Sequence, residues 1–275
     1  MLVSLPALSV APLSTIQASH VVSSERPPNS TCTPIESNVN ARNPFIFDVW
    51  ITWRDGAREH VQISRDGFFA LDGVRRRLIG FDLGTTGMAR AFWDDNDLKV
   101  IEKELGYLES LGVRLIALDL FYVGKDRERA LYTPVLDMLF EHKMFVFAAL
   151  IGKGLPGFSL AGPRNSTMNF AIRLRGHGAD TMGDWAHRWL DIVTSYRNVV
   201  ALSIENELDV PPQGLSYSAE NVAEYLRWLF GLVRCETRLP LTSKLTAETN
   251  VRLDVKKTVL SLVDFPAVDV YAHDL

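Results

Sequence analysis

Residues 201–210 read ALSIENELDV, an apolar run that ends in Glu205, Asn206, Glu207, Leu208 and Asp209. Carboxylates at the mouth of a hydrophobic segment need water, a hydrogen-bond partner or a task, so these three acids are either structural pairs or groups that move protons. Other reactive side chains fall in the same kind of place, just after a short apolar run: Asp82, Asp119 to Tyr122, Lys153, Glu248 with Asn250, and Tyr271 with His273. In βα barrels and open parallel sheets the carboxyl ends of the strands carry the chemistry, which makes these positions the ones to inspect. A nucleophilic amine is a further option, with Lys153 or Lys244 as Schiff-base candidates, although no motif supports either.

Several chemistries find no support. The histidines at 20, 60, 142, 177, 187 and 273 form no HExxH or other paired ligand spacing, and the two cysteines, Cys32 and Cys235, form no CxxC. No metal site and no cofactor are therefore expected, and pairing of the two cysteines stays open. No GxGxxG or GxxxxGK[ST] loop follows the first strand, which disfavours a nucleotide-binding doubly wound sheet. The formal net charge of −4 comes with no basic patch, so nucleic acid is not an expected partner. No apolar run reaches the roughly 18 to 20 residues of a membrane-spanning helix.

The elements that must position these groups are legible as patterns. The opening MLVSLPALSVAPLSTIQAS is signal-like in its small and apolar residues, but has no positive n-region and contains Pro6 and Pro12. Export to the extracellular space and a cytoplasmic location both remain open, and the sequons at Asn29 and Asn165 do not decide between them. Residues 20–43 read as a Ser/Pro/Asn-rich linker, so 1–43 form a leader and a single domain is expected over 44–275. From Pro44 two hairpins are predicted, turning at Asp55-Gly56 and Asp72-Gly73. Short apolar strands then alternate with amphipathic helices. The strands are expected at 78–83, 113–121, 144–151, 199–204, 241–246 and 268–273, and the helices at 94–111, 127–142, 180–196, 218–236 and 251–263, with Ser218 as an N-cap. Six strands and five helices suit either an open six-stranded sheet or a barrel lacking its last quarter.

The run Val199 to Glu207, VVALSIENE, resembles the fourth strand of the clan A glycoside hydrolases, an apolar strand ending in Asn-Glu, with family 5 cellulases and β-mannanases the most similar in pattern. Two other segments agree in order and spacing: DGFFALDGVRRRLIGFD (66–82) is similar to the hairpin and first strand of these families, and VDVYAH (268–273) to their sixth. The resemblance covers residues 44–275. It implies a (β/α)8 TIM-barrel type fold, incomplete at about six βα units, with an N-terminal β-hairpin layer. It also implies a retaining hydrolase of β-linked glucan or mannan, in which Glu207 is the acid/base, Asn206 holds the sugar 2-hydroxyl, and His273, Asp82 and Tyr122 contact substrate. Such an enzyme needs a second carboxylate about 5 to 5.5 Å away across the scissile bond, which these families carry on a seventh strand, expected beyond residue 275. The chain departs from the family at Ala117, near the usual place of an Arg, in a third strand without His, and at Asp82, where Asn is usual.

Each group also has a plainer role. Strand alternation puts Glu205 on the same face as Glu207, where it is expected to pair with a basic residue deeper in the barrel. Asp209 reads as a turn former ahead of Pro211-Pro212, and Glu248 as a helix-start residue in preference to a nucleophile. Trp93, Phe121, Tyr122 and Phe158 could stack on sugar rings, whereas Trp185, Trp189 and Trp228 read as packing residues. The long segment from Gly152 to Gly178 is expected to form a cleft wall. The competing reading is a catalytically inactive carbohydrate-binding pseudoenzyme of the same fold. The expected partner is an oligosaccharide or polysaccharide, and an unfinished barrel edge offers a route to self-association.

Overall fold

The computed structural model describes residues 44–76, 80–83, 97–151, 181–210, 217–247 and 252–269. The leader, both sequons, Cys32, Trp93, Lys153, Phe158, the 152–178 segment, Glu248, Asn250, Tyr271 and His273 lie outside them.

Two sheets are built from the two kinds of sequence pattern. Strands β1 (Phe45–Thr52), β2 (Arg58–Ser64), β3 (Phe69–Leu71) and β4 (Val74–Arg76) form an antiparallel meander. Its Asp72-Gly73 turn has both residues in the left-handed region, φ 49° and 76°. That is the primed geometry whose twist matches a hairpin, and Asp-Gly adopts it at little cost.

The second sheet is parallel. In chain order its strands are β5 (Gly80–Asp82), β6 (Leu115–Phe121), β7 (Phe145–Ile151), β8 (Val199–Asn206), β9 (Leu241–Thr246) and β10 (Val268–Asp269), and each pairs with the next. Helices α1 (Leu98–Ser110), α2 (Lys125–Glu141), α3 (Met182–Val193), α4 (Ala219–Arg234) and α5 (Leu253–Leu260) connect them. The helix starts follow the sequence signals. Asp97 caps α1, while Thr181 with Asp184 and Ser218 with Asn221 form capping boxes on α3 and α4.

Alternation along the strands sorts the side chains. In β6, Ile116, Leu118 and Leu120 face the helices and join a core that includes Trp185, Trp189, Leu226 and Leu229. Leu115, Ala117, Asp119 and Phe121 fall on the opposite, inner face. Burying each of these large apolar groups is worth roughly 1.5–3 kcal/mol, which is what holds the helices to the sheet.

The parallel sheet is curled. Lys244 on β9 reaches Asp82 on β5 at 3.5 Å, although β8, β7 and β6 lie between them. In a flat sheet those strands would stand about 19 Å apart at about 4.8 Å per step. Extended lysine and aspartate side chains joined by a hydrogen bond span only about 13 Å, so the sheet must bend toward its inner face as a barrel wall does.

The meander packs at the amino ends of these strands. Ile51, Trp53, Val61 and Ile63 bury against Phe145, Val200 and Ala201. Arg114 ties the two sheets by donating to both Glu59 oxygens at 2.8 and 3.1 Å and to the Lys143 carbonyl at 3.1 Å. Its guanidinium also lies 5.2 Å from the Phe145 ring centroid.

Candidate functional site

The end of β8 is where the regular strand fails. Ladder pairing with β9 runs Leu202 to Leu241 and Ser203 to Thr242, then skips to Asn206 opposite Lys244. One extra residue is thus accommodated on β8, Ile204 and Glu205 standing against Ser243 alone, a bulge that re-aims the side chains beyond it. Glu205 and Glu207, on either side of Asn206, have φ of 67° and 50°. L-residues with branched or long side chains avoid this region at a cost of roughly 1–2 kcal/mol each, so neighbouring bonds must impose it. Ser203 supplies two of them: its hydroxyl donates to the Glu205 carbonyl at 2.8 Å and accepts the Lys244 amide at 3.1 Å. The Glu207 amide donates to the Lys244 carbonyl at 2.7 Å, which fixes the far side of the bulge.

The bulge overturns the expectation that Glu205 and Glu207 share a face. Glu205 is fully buried and accepts a hydrogen bond from the Tyr225 hydroxyl on α4, on the helix side of the sheet. Burial, and then the Glu205 charge, hold the Tyr225 phenol well above its ordinary pKa. Burial and the charges of Glu205 and Asp209 raise that of Tyr217 as well.

Glu207 belongs to the other side. It is half-buried, and its charge is felt by Asp119 on the inner face of β6. Asp119 is buried at 4% exposure and accepts from Lys244 Nζ at 3.0 Å. Burial raises the Asp119 pKa above the ordinary carboxylate value. The Lys244 ammonium opposes that rise, while the charges of Asp82 and Glu207 add to it. Asp82 and Asp119 thus meet Lys244 at the carboxyl ends of β5, β6 and β9, and Glu207, at the end of β8, is near enough for its charge to act on Asp119; these three carboxyls and one cation are called the carboxyl cluster.

The remaining expected site residues divide. Asn206 lies opposite Lys244, and its Oδ1 is buried with no hydrogen-bond donor among the described residues. Asp82 is brought into the cluster. Tyr122 is not: at 5% exposure it packs edge-on to Trp185 with ring centroids 5.7 Å apart, in the helix-side core. Its even-numbered place just after β6, continuing Ile116, Leu118 and Leu120, already pointed there. Asp209 does lie in the turn that follows β8, and it is also fully buried, accepts the Thr246 amide at 3.3 Å and lies 3.6 Å from Lys256 Nζ. It clamps the segment after Glu207 to the end of β9.

Lys244 is the group that sequence reasoning cast in another role, as a Schiff-base candidate. Flanked by two carboxylates and 3% exposed, it is a structural cation and a poor nucleophile. The signal available in the sequence was a charged residue on the inner face of each of two buried strands, LIALDLF and LTSKLT, each requiring a partner. Two cavities lie at the other end of the sheet. One of about 550 Å³ is lined by Phe47, Trp50, Tyr196 and Leu239, and one of about 450 Å³ by Phe69, Leu115, Phe147 and Phe265. Neither reaches the carboxyl cluster.

Comparison with known proteins supports the architecture. No protein-family model matches the chain, and no curated protein matches it. Among solved structures, it is similar to a β-glucuronidase from Parabacteroides merdae at 16% identity and a TM-score of 0.50, over 78% of this chain and 23% of that one. An endo-1,4-β-mannanase from Eisenia fetida aligns at 10% identity and a TM-score of 0.49, over 76% of this chain and 72% of that one. A β-mannanase from the blue mussel Mytilus edulis aligns at 11% identity and a TM-score of 0.46. The chain thus spans about a quarter of the length of the β-glucuronidase. At these identities the likeness describes fold: a curled α/β half-barrel sheet of the TIM-barrel type with a separate antiparallel sheet at its amino side.

Proposed function

We propose that the protein is a glycoside hydrolase acting on β-linked glucan or mannan, with Glu207 as the proton donor of a retaining two-carboxylate mechanism. The observation that carries this reading is the pair of left-handed residues around Asn206. Strained non-glycine backbone persists where surrounding bonds over-determine it, and it collects at functional sites. Here it separates two glutamates that alternation would have put side by side, leaving one as a buried structural group and the other at the strand mouth. The β8 bulge, the position at the carboxyl end of a curled parallel sheet and the sequence Asn-Glu are consistent with one another and with the fold likeness.

In this reading Glu207 protonates the glycosidic oxygen as the bond to the anomeric carbon breaks. A second carboxylate bonds that carbon from the opposite face, and Glu207 then takes a proton from the water that releases the sugar. Asn206 presents its amide to the 2-hydroxyl, and its buried Oδ1 is an acceptor that a sugar hydroxyl would satisfy. Asp82, part-exposed beside Lys244, accepts from another hydroxyl. The described carboxyls Asp82 and Asp119 are both tied to Lys244, so the reading takes its nucleophile from outside the described residues.

The test is the Glu207→Gln variant with β-1,4-linked manno- and gluco-oligosaccharides. Hydrolysis should fall by about 100-fold or more for substrates with poor leaving groups, the usual span of a lost general acid, while binding is kept. A second reading, an inactive carbohydrate-binding protein, is favoured by the engagement of both Asp82 and Asp119 with Lys244. It expects the unaltered protein to bind these sugars and cleave none. Failure to bind any of them would sink both readings.

A further inference from the structure

One residue touches every part of the carboxyl cluster. Lys244 Nζ lies 3.0 Å from Asp119 Oδ1 and 3.5 Å from Asp82 Oδ2. Its carbonyl accepts the Glu207 amide at 2.7 Å, and its own amide donates to Ser203, the residue that braces the bulge. The ammonium thus draws β5 and β6 toward β9, and the backbone of the same residue sets the geometry of the strained segment on β8. Removing the cation would leave Asp119 buried without the Lys244 counter-charge and still subject to the charges of Asp82 and Glu207, which is unfavourable.

We propose that Lys244 is the positioning residue of this site: it holds Asp82 and Asp119 converged beneath the place of a sugar ring and holds Glu207 at its mouth. What the carboxyls then do to a sugar rests on the glycosidase reading; that Lys244 sets their arrangement does not. The geometry also separates two roles that a single substitution would confuse. Neutralising Asp119 is a stability role, and a neutral partner can replace it. Converging three strands is a positioning role, and only a long cation at residue 244 supplies it.

The experiment compares the unaltered chain with Lys244→Met, Lys244→Arg, Asp119→Asn and the double variant Lys244→Met with Asp119→Asn. The readouts are thermal unfolding, the amide chemical shift of Glu207, and binding of β-1,4-linked manno- and gluco-tetraose. Lys244→Met should unfold at lower temperature, and adding Asp119→Asn should restore most of the loss. Sugar affinity should nevertheless stay down by about tenfold or more in the double variant, the size of one charge-assisted hydrogen bond, with the Glu207 amide shifted. Asp119→Asn alone should keep the Glu207 shift closer to that of the unaltered chain, because Lys244 still reaches Asp82. Lys244→Arg should fall between, since its planar fork cannot reproduce a point charge between two carboxylates.

The proposal is overturned if the stabilised double variant shows an unmoved Glu207 amide and affinity within about threefold of the unaltered chain, under 1 kcal/mol by the affinity relation. Lys244 would then only compensate Asp119. Should the unaltered chain bind neither sugar, the glycosidase reading falls, and the Glu207 shift in the folded double variant still decides whether Lys244 positions the site.

Discussion

Tyr225→Phe tests the separation of the two glutamates without touching the cluster itself. The ring of Tyr225 is fully buried on α4, so the change deletes one oxygen and leaves the packing in place. What is lost is the hydrogen bond from the phenol to Glu205, a carboxyl with no exposure. A hydrogen bond to a charged buried group contributes about 1.5–3 kcal/mol. For a domain of this size 1 kcal/mol moves Tm by about 2–4 °C, so the expected fall is about 3–12 °C. Urea and thermal unfolding, followed by the fluorescence of the buried Trp185 and Trp189, would measure it. Oligosaccharide affinity measured on the same sample should change by less than about threefold, because Glu205 faces the helices and not the cluster. Glu207→Gln should do the reverse, staying within about 0.5 kcal/mol in stability, as is usual for a group outside the packed core. A Tyr225→Phe protein as stable as the unaltered one would refute the structural role of Glu205. One that kept its stability but lost sugar binding would place Glu205 in the site.

Two further outcomes follow from the layers around the cluster. Arg114→Met should loosen the meander at the base of the sheet by about 1–3 kcal/mol, since Glu59 and the Lys143 carbonyl lose a shared partly buried donor; hydrogen exchange should rise first in β1 and β2, and uniform exchange across both sheets would contradict it. His142 links α1 and α2 by pairing with Glu109 at 2.7 Å and Glu102 at 3.1 Å; burial alone would lower its pKa, but the hydrogen bonds and charges of both glutamates outweigh that and raise it above 6.5. A raised histidine stabilises fully below its unfolded pKa and loses the contribution as pH climbs through the folded value, so His142→Gln should cost stability at pH 5.5 and little at pH 8.5, both settings being roughly a unit or more from the ordinary histidine pKa; an equal cost at both would contradict the pairing.

The elements around the site were legible because their causes are local. Asp55-Gly56 and Asp72-Gly73 announce turns through backbone conformations that glycine adopts freely. The apolar runs of β6 to β9 announce strands buried on both faces, and Ser218 with Asn221 announces the start of α4. The same alternation that located the strands also put Glu205 on the face of Glu207. A period of two holds only while the ladder is regular, and the register slip after Ser203 depends on bonds to β9, where Lys244, 41 residues further on, donates to Ser203. Tyr122 was legible in principle, since its parity matches the helix-facing residues of β6, but its nearness to a strand end suggested a sugar contact.

Sequence by itself determined where strands, helices and hairpin turns fall, and it marked Asn206-Glu207 as the end of a buried strand, because pattern and turn chemistry act over a few residues. Tertiary structure alone decided which charged groups meet. Lys244 and Asp119 stand 125 residues apart in the chain, and nothing in either strand names the other. Curling of the sheet brings their inner faces within a side chain's reach, and the cost of burying a lone charge then selects the pairing.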